Sequence, residues 1–75
     1  MTLREIFAAN LKAHRKAQGL SQEDLAHRAD LDRTYISALE RQLYSASLDV
    51  IEKLAAVLAV PPAALLRLPE ETGPG

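Results

Sequence analysis

Apolar residues recur along the chain at spacings of three and four, which is the period of one face of an α-helix. The first such stretch contains Leu3, Ile6, Phe7 and Leu11. Three more follow, with inward positions at Leu25, Ala26 and Ala29, at Ile36 and Leu39, and at Leu48, Ile51, Leu54, Ala55 and Leu58. The period-two alternation of a half-buried strand appears nowhere. The pattern therefore predicts an all-α protein.

Capping residues divide this pattern into five predicted helices. Four short oxygen-bearing side chains stand where an N-cap is needed: Thr2, Ser21, Asp32 and Ser47. Thr2 and Glu5 have the spacing of a capping box, and Gly19 suits the left-handed residue that ends a helix. Pro61-Pro62 ends the fourth helix and can open a short fifth one. We predict a compact five-helix bundle.

The composition limits the size and class of the protein. Its 75 residues make one domain and include no cysteine, which excludes disulfides and thiolate metal sites. We expect the domain to span residues 1–68 and residues 69–75, poor in apolar side chains, to form a disordered tail. Small domains without staples often gain stability by oligomerising. No signal-peptide or membrane-spanning pattern occurs, so we expect a cytoplasmic protein.

The charge balance is unusual for a nucleic-acid binder. The chain carries nine basic and ten acidic residues, a net charge of −1. Two of the acids lie in 69–75, so residues 1–68 have nine basic and eight acidic residues, a net charge of +1. Any DNA contact must therefore come from the local placement of charge.

The segment from Ser21 to Arg41 predicts two short helices joined by the turn Asp30-Leu31-Asp32, with alanines that allow close packing. Gly19 to Ala26, Tyr35-Ile36-Ser37, Leu39-Glu40-Arg41, Ser47-Leu48 and Leu54-Ala55 resemble the Cro/C1-type (XRE-like) helix-turn-helix family over roughly residues 6–66. Within that family, residues 31–37 are most similar to controller proteins of restriction–modification systems. The resemblance implies a lambda repressor-like fold that places its second helix in the major groove of DNA.

The chain departs from the family pattern at the turn and after the third helix. Asp30 and Gln42 stand where glycine is common, and Leu43 and Tyr44 stand where lysine, arginine or asparagine is usual. Aspartate tolerates left-handed geometry better than most residues.

The residues predicted to contact DNA lie on the second and third helices: Gln22, Arg33, Thr34, Tyr35, Ser37, Ala38 and Arg41. The resemblance implies that Gln22 binds a phosphate. Arg33 can donate two hydrogen bonds to guanine, the Thr34 methyl suits thymine, and its hydroxyl suits a phosphate. Ser37 and Ala38 are expected to continue the exposed face.

Structural roles stay open for several of these residues. Gln22 is also an ordinary exposed helix former, and Arg33 can pair with Asp30. The Tyr35 ring can pack at the helix edge, while Arg41 is equally explained by favourable charge at a helix C-terminus.

Two more groups complete the predicted sites. Arg15 falls on the apolar face of the first helix, and the resemblance implies that it forms a partly buried ion pair with Glu40. An apolar patch suited to a dimer interface is predicted from Leu43, Tyr44, Val50 and Val57. The alternative is that the fifth helix covers Val57 and the loop covers Tyr44.

The predicted function is a sequence-specific transcriptional regulator that binds a palindromic operator as a homodimer, and the resemblance implies control of a restriction–modification system. The alternative is a protein-interaction module, such as an antitoxin-like subunit with secondary DNA binding. No nucleophile–base pair, phosphate loop, metal spacing or cofactor pattern predicts an enzyme. Activation would require contact with RNA polymerase, and no residue identifies that surface.

Overall fold

The computed structural model describes residues 1–68, which form four α-helices followed by a 3-10 turn. The α-helices are α1 (Leu3–Ala17), α2 (Gln22–Ala29), α3 (Arg33–Glu40) and α4 (Leu48–Leu58). The tail predicted at 69–75 lies outside the described residues.

The fifth helix is a correction to the sequence prediction, because Pro62–Leu66 forms a 3-10 segment and not an α-helix. Two prolines at its start supply no backbone N–H, and the segment has five residues before Arg67 becomes extended. Its turn is closed by a bond from the Ala64 amide to the Pro61 carbonyl, 2.9 Å long. The Asn10 side chain of α1 then donates to the carbonyls of Leu65 and Arg67 at 3.0 and 2.7 Å.

Each α-helix begins at its predicted N-cap. Thr2 and Ser21 form capping boxes with Glu5 and Asp24, since each hydroxyl accepts from a helix amide while each carboxylate accepts from the cap amide. At the starts of α3 and α4, the side chains of Asp32 and Ser47 also accept from a helix amide, but neither forms the reciprocal bond of a capping box. Hydrogen bonds to backbone amides lower the pKa of Glu5 and Asp24, and bonds from Thr34 lower that of Asp32. These three groups are called the cap carboxylates below.

All four helices end in the same Schellman arrangement, in which a residue with positive φ turns the chain back. That residue is Gly19 after α1, Asp30 after α2, Gln42 after α3 and Ala59 after α4, with φ between 57° and 69°. The amide of the next residue donates to a carbonyl five residues earlier in each case, as from Leu43 to Ala38 at 2.9 Å. Three of the four positions therefore carry a side chain in backbone geometry that favours glycine.

The core lies between all four helices and the 3-10 segment. Its fully buried side chains are Leu11, Leu25, Ile36, Leu39, Leu54, Leu58 and Leu65. The inward faces predicted by the apolar spacing are confirmed except at Leu3 and Leu48. Both are the first residue of their helix and are exposed, Leu48 by 82%, because their side chains line an open groove between the starts of α1 and α4.

Candidate nucleic-acid interface

The start of α3 presents polar side chains to solvent. Asp32, Arg33 and Thr34 are all exposed, and α3 follows α2 after the short turn through Asp30 and Leu31. The Asp32 carboxylate accepts from the Thr34 amide at 2.8 Å and also from the Thr34 hydroxyl. Arg33 is in no salt bridge within residues 1–68, so its guanidinium is available to a ligand there.

A buried polar network connects the end of α3 to α1. Arg15 of α1 donates from Nε and Nη2 to the two oxygens of Glu40, at 2.7 and 3.0 Å. Its Nη1 donates to the Leu20 carbonyl at 2.8 Å. The two side chains are only 9% and 4% exposed, and the bond to Glu40 raises the pKa of Arg15. This pair joins α1 to the end of α3.

Gln22 is the third member of this network. The side chain is half-buried at the first position of α2, and its Nε2 donates to Glu40 Oε1 at 3.1 Å. An amide nitrogen carries two hydrogens, so one N–H remains for another acceptor. The contact joins α2 and α3 across 18 positions of sequence. Sequence spacing alone gives no signal for it.

The exposed face of α3 is narrower than predicted. Arg41 is exposed and Ser37 is half-buried, but Ala38 is only 7% exposed, so its expected place on the exposed face is wrong. After α3 the chain turns back at Gln42, and the Leu43 amide bonds to the Ala38 carbonyl. The returning loop therefore runs beside Ala38.

That loop carries two large apolar side chains. Leu43 and Tyr44 are 56% and 58% exposed, so the alternative that the loop covers Tyr44 is wrong. The Tyr44 ring lies 6.3 Å from the half-buried ring of Tyr35, tilted by 34°. Val50 and Val57 are half-buried and pack against the core. The four residues of the predicted dimer patch thus divide into an exposed pair and a half-buried pair.

An apolar groove beside this loop was missed by the sequence prediction. Its volume is about 210 Å³, and it lies between the start of α1, the loop before α4, the start of α4 and the 3-10 segment. Its lining residues are Leu3, Arg4, Phe7, Ser45, Ala46, Leu48, Ile51 and Leu66. The sequence did contain a sign of this groove. Leu3 and Leu48 are each the first residue of a helix, a position at which neighbouring elements rarely cover a side chain.

Residues 1–68 contain no cluster of three or more His, Asp or Glu side chains that could hold a metal ion. None of the helices in that range is long and apolar enough to cross a membrane.

Comparison with known proteins matches the observed geometry. The helix-turn-helix family model matches residues 11–65. A hypothetical transcription factor from Neisseria meningitidis is 46% identical over 69 residues, which are 92% of this chain and 65% of that protein. The chain thus spans just under two thirds of that relative. The crystal structure of the Neisseria factor NHTF superimposes with a TM-score of 0.91, covering 93% of this chain and 80% of that chain.

Restriction–modification controllers are also similar. The controller C.AhdI from Aeromonas hydrophila is 42% identical with a TM-score of 0.80, covering 83% of this chain and 94% of that one. The controller C.Esp1396I, solved as a tetramer with its natural 35 base-pair operator, is 32% identical with a TM-score of 0.79 over 87% of this chain and 86% of that one. The chain belongs to the Cro/C1-type helix-turn-helix family of DNA-binding transcriptional regulators, which are not enzymes, and it is related to restriction–modification controller proteins.

Proposed function

We propose that this regulator recognises a specific operator through the start of α3. The observation that carries the proposal is the exposed pair Arg33 and Thr34, held at the tip of a helix whose other end is fixed by the buried Arg15–Glu40 pair. Arginine is suited to the O6 and N7 acceptors of guanine, and the threonine methyl to a thymine methyl. Tyr35 and Ser37 lie farther along the same helix, and Arg41 directly follows its last residue. These three residues are proposed to contact the flanking backbone.

Gln22 is proposed to contact a DNA phosphate through its second amide N–H. Its first N–H is held by Glu40, which fixes the side chain at the start of α2. The free backbone amides of a helix start also favour an anion. Ala38 is not among the proposed contacts, because its side chain is buried in the free protein.

The regulator is further proposed to act as a homodimer on a roughly palindromic operator. The exposed Leu43 and Tyr44, with Val50 and Val57 half-buried, provide an apolar surface typical of an interface. A two-fold dimer would place two copies of α3 about 34 Å apart, one turn of DNA. The relative C.Esp1396I, a tetramer on a 35 base-pair operator, supports this arrangement.

The regulated genes are proposed to be those of a restriction–modification system. Similarity to C.AhdI and to the control protein C.BamHI of Bacillus amyloliquefaciens, 43% identical over 65 residues, supports this role. In that role the protein would tune transcription of a restriction gene and of its own gene.

Selection of bound sequences from a pool of random duplexes tests operator recognition. We expect an enriched palindrome whose binding falls by at least about 5-fold in Arg33→Ala, since one bidentate arginine–guanine contact is worth about 1–3 kcal/mol, or about 5- to 150-fold, and the proposed dimer would lose two of them. Arg67→Ala, which removes an exposed arginine beyond the 3-10 segment, is the matched control and should bind as the native chain does. Enrichment of no sequence, or equal loss in both variants, would contradict the proposal.

A protein-interaction module with secondary DNA binding is the second candidate function. The near-neutral charge and the exposed Leu43 and Tyr44 favour it. Salt dependence separates the two, because DNA binding through several phosphates weakens steeply with salt while apolar partner binding does not.

A further inference from the structure

The Asp32 carboxylate has one oxygen engaged and one oxygen free. Both hydrogen bonds from Thr34, from its amide and its hydroxyl, end on Oδ1. No hydrogen bond to Oδ2 occurs within residues 1–68, and the residue is exposed. The bonds from Thr34 also lower the pKa of Asp32, so the carboxylate is charged at neutral pH. An oriented negative oxygen therefore stands beside Arg33 at the tip of α3.

This arrangement changes what Thr34 can offer to DNA. Its hydroxyl has one hydrogen, which is donated to Asp32. Phosphate oxygens only accept hydrogen bonds, so the hydroxyl cannot donate to a phosphate unless it releases Asp32. The hydroxyl oxygen can still accept a hydrogen bond from a base amino group, but not from a phosphate. The methyl group also remains free for the groove, so the thymine contact is favoured over the phosphate contact.

The free oxygen of Asp32 can bind only a hydrogen-bond donor. On the major-groove edges of the bases, the donors are the amino groups of cytosine and adenine, while guanine and thymine present acceptors. A carboxylate is repelled by those acceptors and by the phosphates. Every base pair has one of these amino groups in its major groove, so a carboxylate next to Arg33 would read which strand carries it. On the strand that holds the guanine contacted by Arg33, it would select cytosine or adenine and reject guanine and thymine.

We propose that Asp32 is a specificity-determining residue, whose Oδ2 accepts a hydrogen bond from the exocyclic amino group of the base beside the guanine contacted by Arg33. This inference rests on the proposed function. Cytosine N4 is the usual donor to an acidic side chain, and adenine N6 offers the same chemistry. The resulting half-site contains a guanine, an amino-bearing base and a thymine in the segment read by residues 32–34.

The experiment must separate this role from helix capping. Asp32→Ser keeps an N-cap oxygen but removes the charge and the second acceptor. Far-UV circular dichroism should show a native helix content for this variant. Thr2→Ala is the matched control, because it removes a cap hydroxyl at the start of α1, away from α3.

Binding to the selected operator is then measured with one base replaced by an analogue lacking only the amino group, 2-pyrimidinone for cytosine or unsubstituted purine for adenine. The native chain and Thr2→Ala should lose roughly five- to tenfold in affinity on the analogue, whereas Asp32→Ser should lose nothing further. The responding analogue identifies which base donates.

Two results would overturn the inference while leaving operator recognition intact. One is an operator with guanine or thymine at that position, and the other is an equal loss on the analogue for the native chain and Asp32→Ser. Failure of the native chain to select any operator would instead refute the proposed function, and this inference with it.

Discussion

Arg15→Met tests how far the buried ion pair supports the fold. Methionine keeps an unbranched apolar stem in place of the arginine but leaves the Glu40 carboxylate, 4% exposed, with Gln22 as its remaining partner. A buried charge that loses its counter-ion costs about 3–5 kcal/mol. A domain of this length has a free energy of unfolding of about 4–11 kcal/mol. The variant should therefore lose about a quarter or more of its stability.

Urea unfolding followed by far-UV circular dichroism measures this loss. Protein concentration must be held fixed, because association makes the apparent stability depend on it. The midpoint of thermal unfolding should fall by roughly 12–40 °C, from about 4–8 °C per kcal/mol. Lys12→Met, on the exposed side of the same helix, is the control and should change the free energy by less than about 0.5 kcal/mol.

The double variant Arg15→Met/Glu40→Leu completes the test. With both charges removed, an apolar replacement of a buried pair is often neutral, so most of the loss should be recovered. A loss below about 1 kcal/mol in Arg15→Met would refute the reasoning, because it would mean that solvent screens the pair. A double variant as unstable as the sum of the singles would also refute it.

Three smaller predictions concern helix ends and the 3-10 segment. Gln42→Gly and Ala59→Gly should each raise the free energy of unfolding by about 1 kcal/mol, because both positions have positive φ. Ala56→Gly, within α4, is the control and should lower the free energy of unfolding by about 1 kcal/mol. A change of the same sign at all three positions would mean that positive φ at Gln42 and Ala59 causes no strain. Asn10→Ala should cost about 1–2 kcal/mol and speed amide exchange across residues 63–66, because it removes the two bonds from α1 to the 3-10 segment. Unchanged exchange would mean that these bonds do not hold the segment. Folding lowers the pKa of each cap carboxylate, so its contribution to stability is complete well above the unfolded pKa of about 4 and is lost as the pH falls through the lower folded pKa. In urea titrations at decreasing pH, the fall in stability should be smaller in Glu5→Gln, which removes one of these carboxylates.

Local chemistry explains why the helix starts were predictable. A cap such as Ser47 acts on an amide three positions away, so the sequence contains both partners. The end of α2 was predictable for a similar local reason, because it requires only a residue, here Asp30, that tolerates left-handed backbone geometry. Inward positions such as Leu54 were equally predictable, because spacing defines which side of a helix is apolar.

Spacing does not show what lies opposite that side. Leu48 has the right spacing but stands at the first turn of α4, where no element covers it. Ala38 was placed on the exposed face, and the chain returning after Gln42 changes its environment. The bond between Gln22 and Glu40 depends on how α2 meets α3. These features are set by tertiary packing, which periodicity along one helix does not contain.

The contact between Tyr35 and Tyr44 links the two proposed surfaces. Tyr44 belongs to the proposed dimer surface, while Tyr35 lies on the proposed recognition helix, and their rings are 6.3 Å apart. An aromatic pair of this geometry is worth about 0.5–1.5 kcal/mol. Loss of the Tyr44 ring should therefore affect DNA binding directly as well as through the dimer.

Tyr44→Ala and Leu43→Ala separate these two effects, since both truncate an exposed side chain of the same loop but only the first removes the ring pair. Dimer dissociation is measured by sedimentation, and operator affinity is measured at protein concentrations well above the dimer dissociation constant. Under those conditions Leu43→Ala should bind the operator as the native chain does, whereas Tyr44→Ala should be weaker by about two- to tenfold. If the two variants bind equally once dimeric, the ring contact does not position Tyr35, and the loop acts on DNA binding through dimerisation alone.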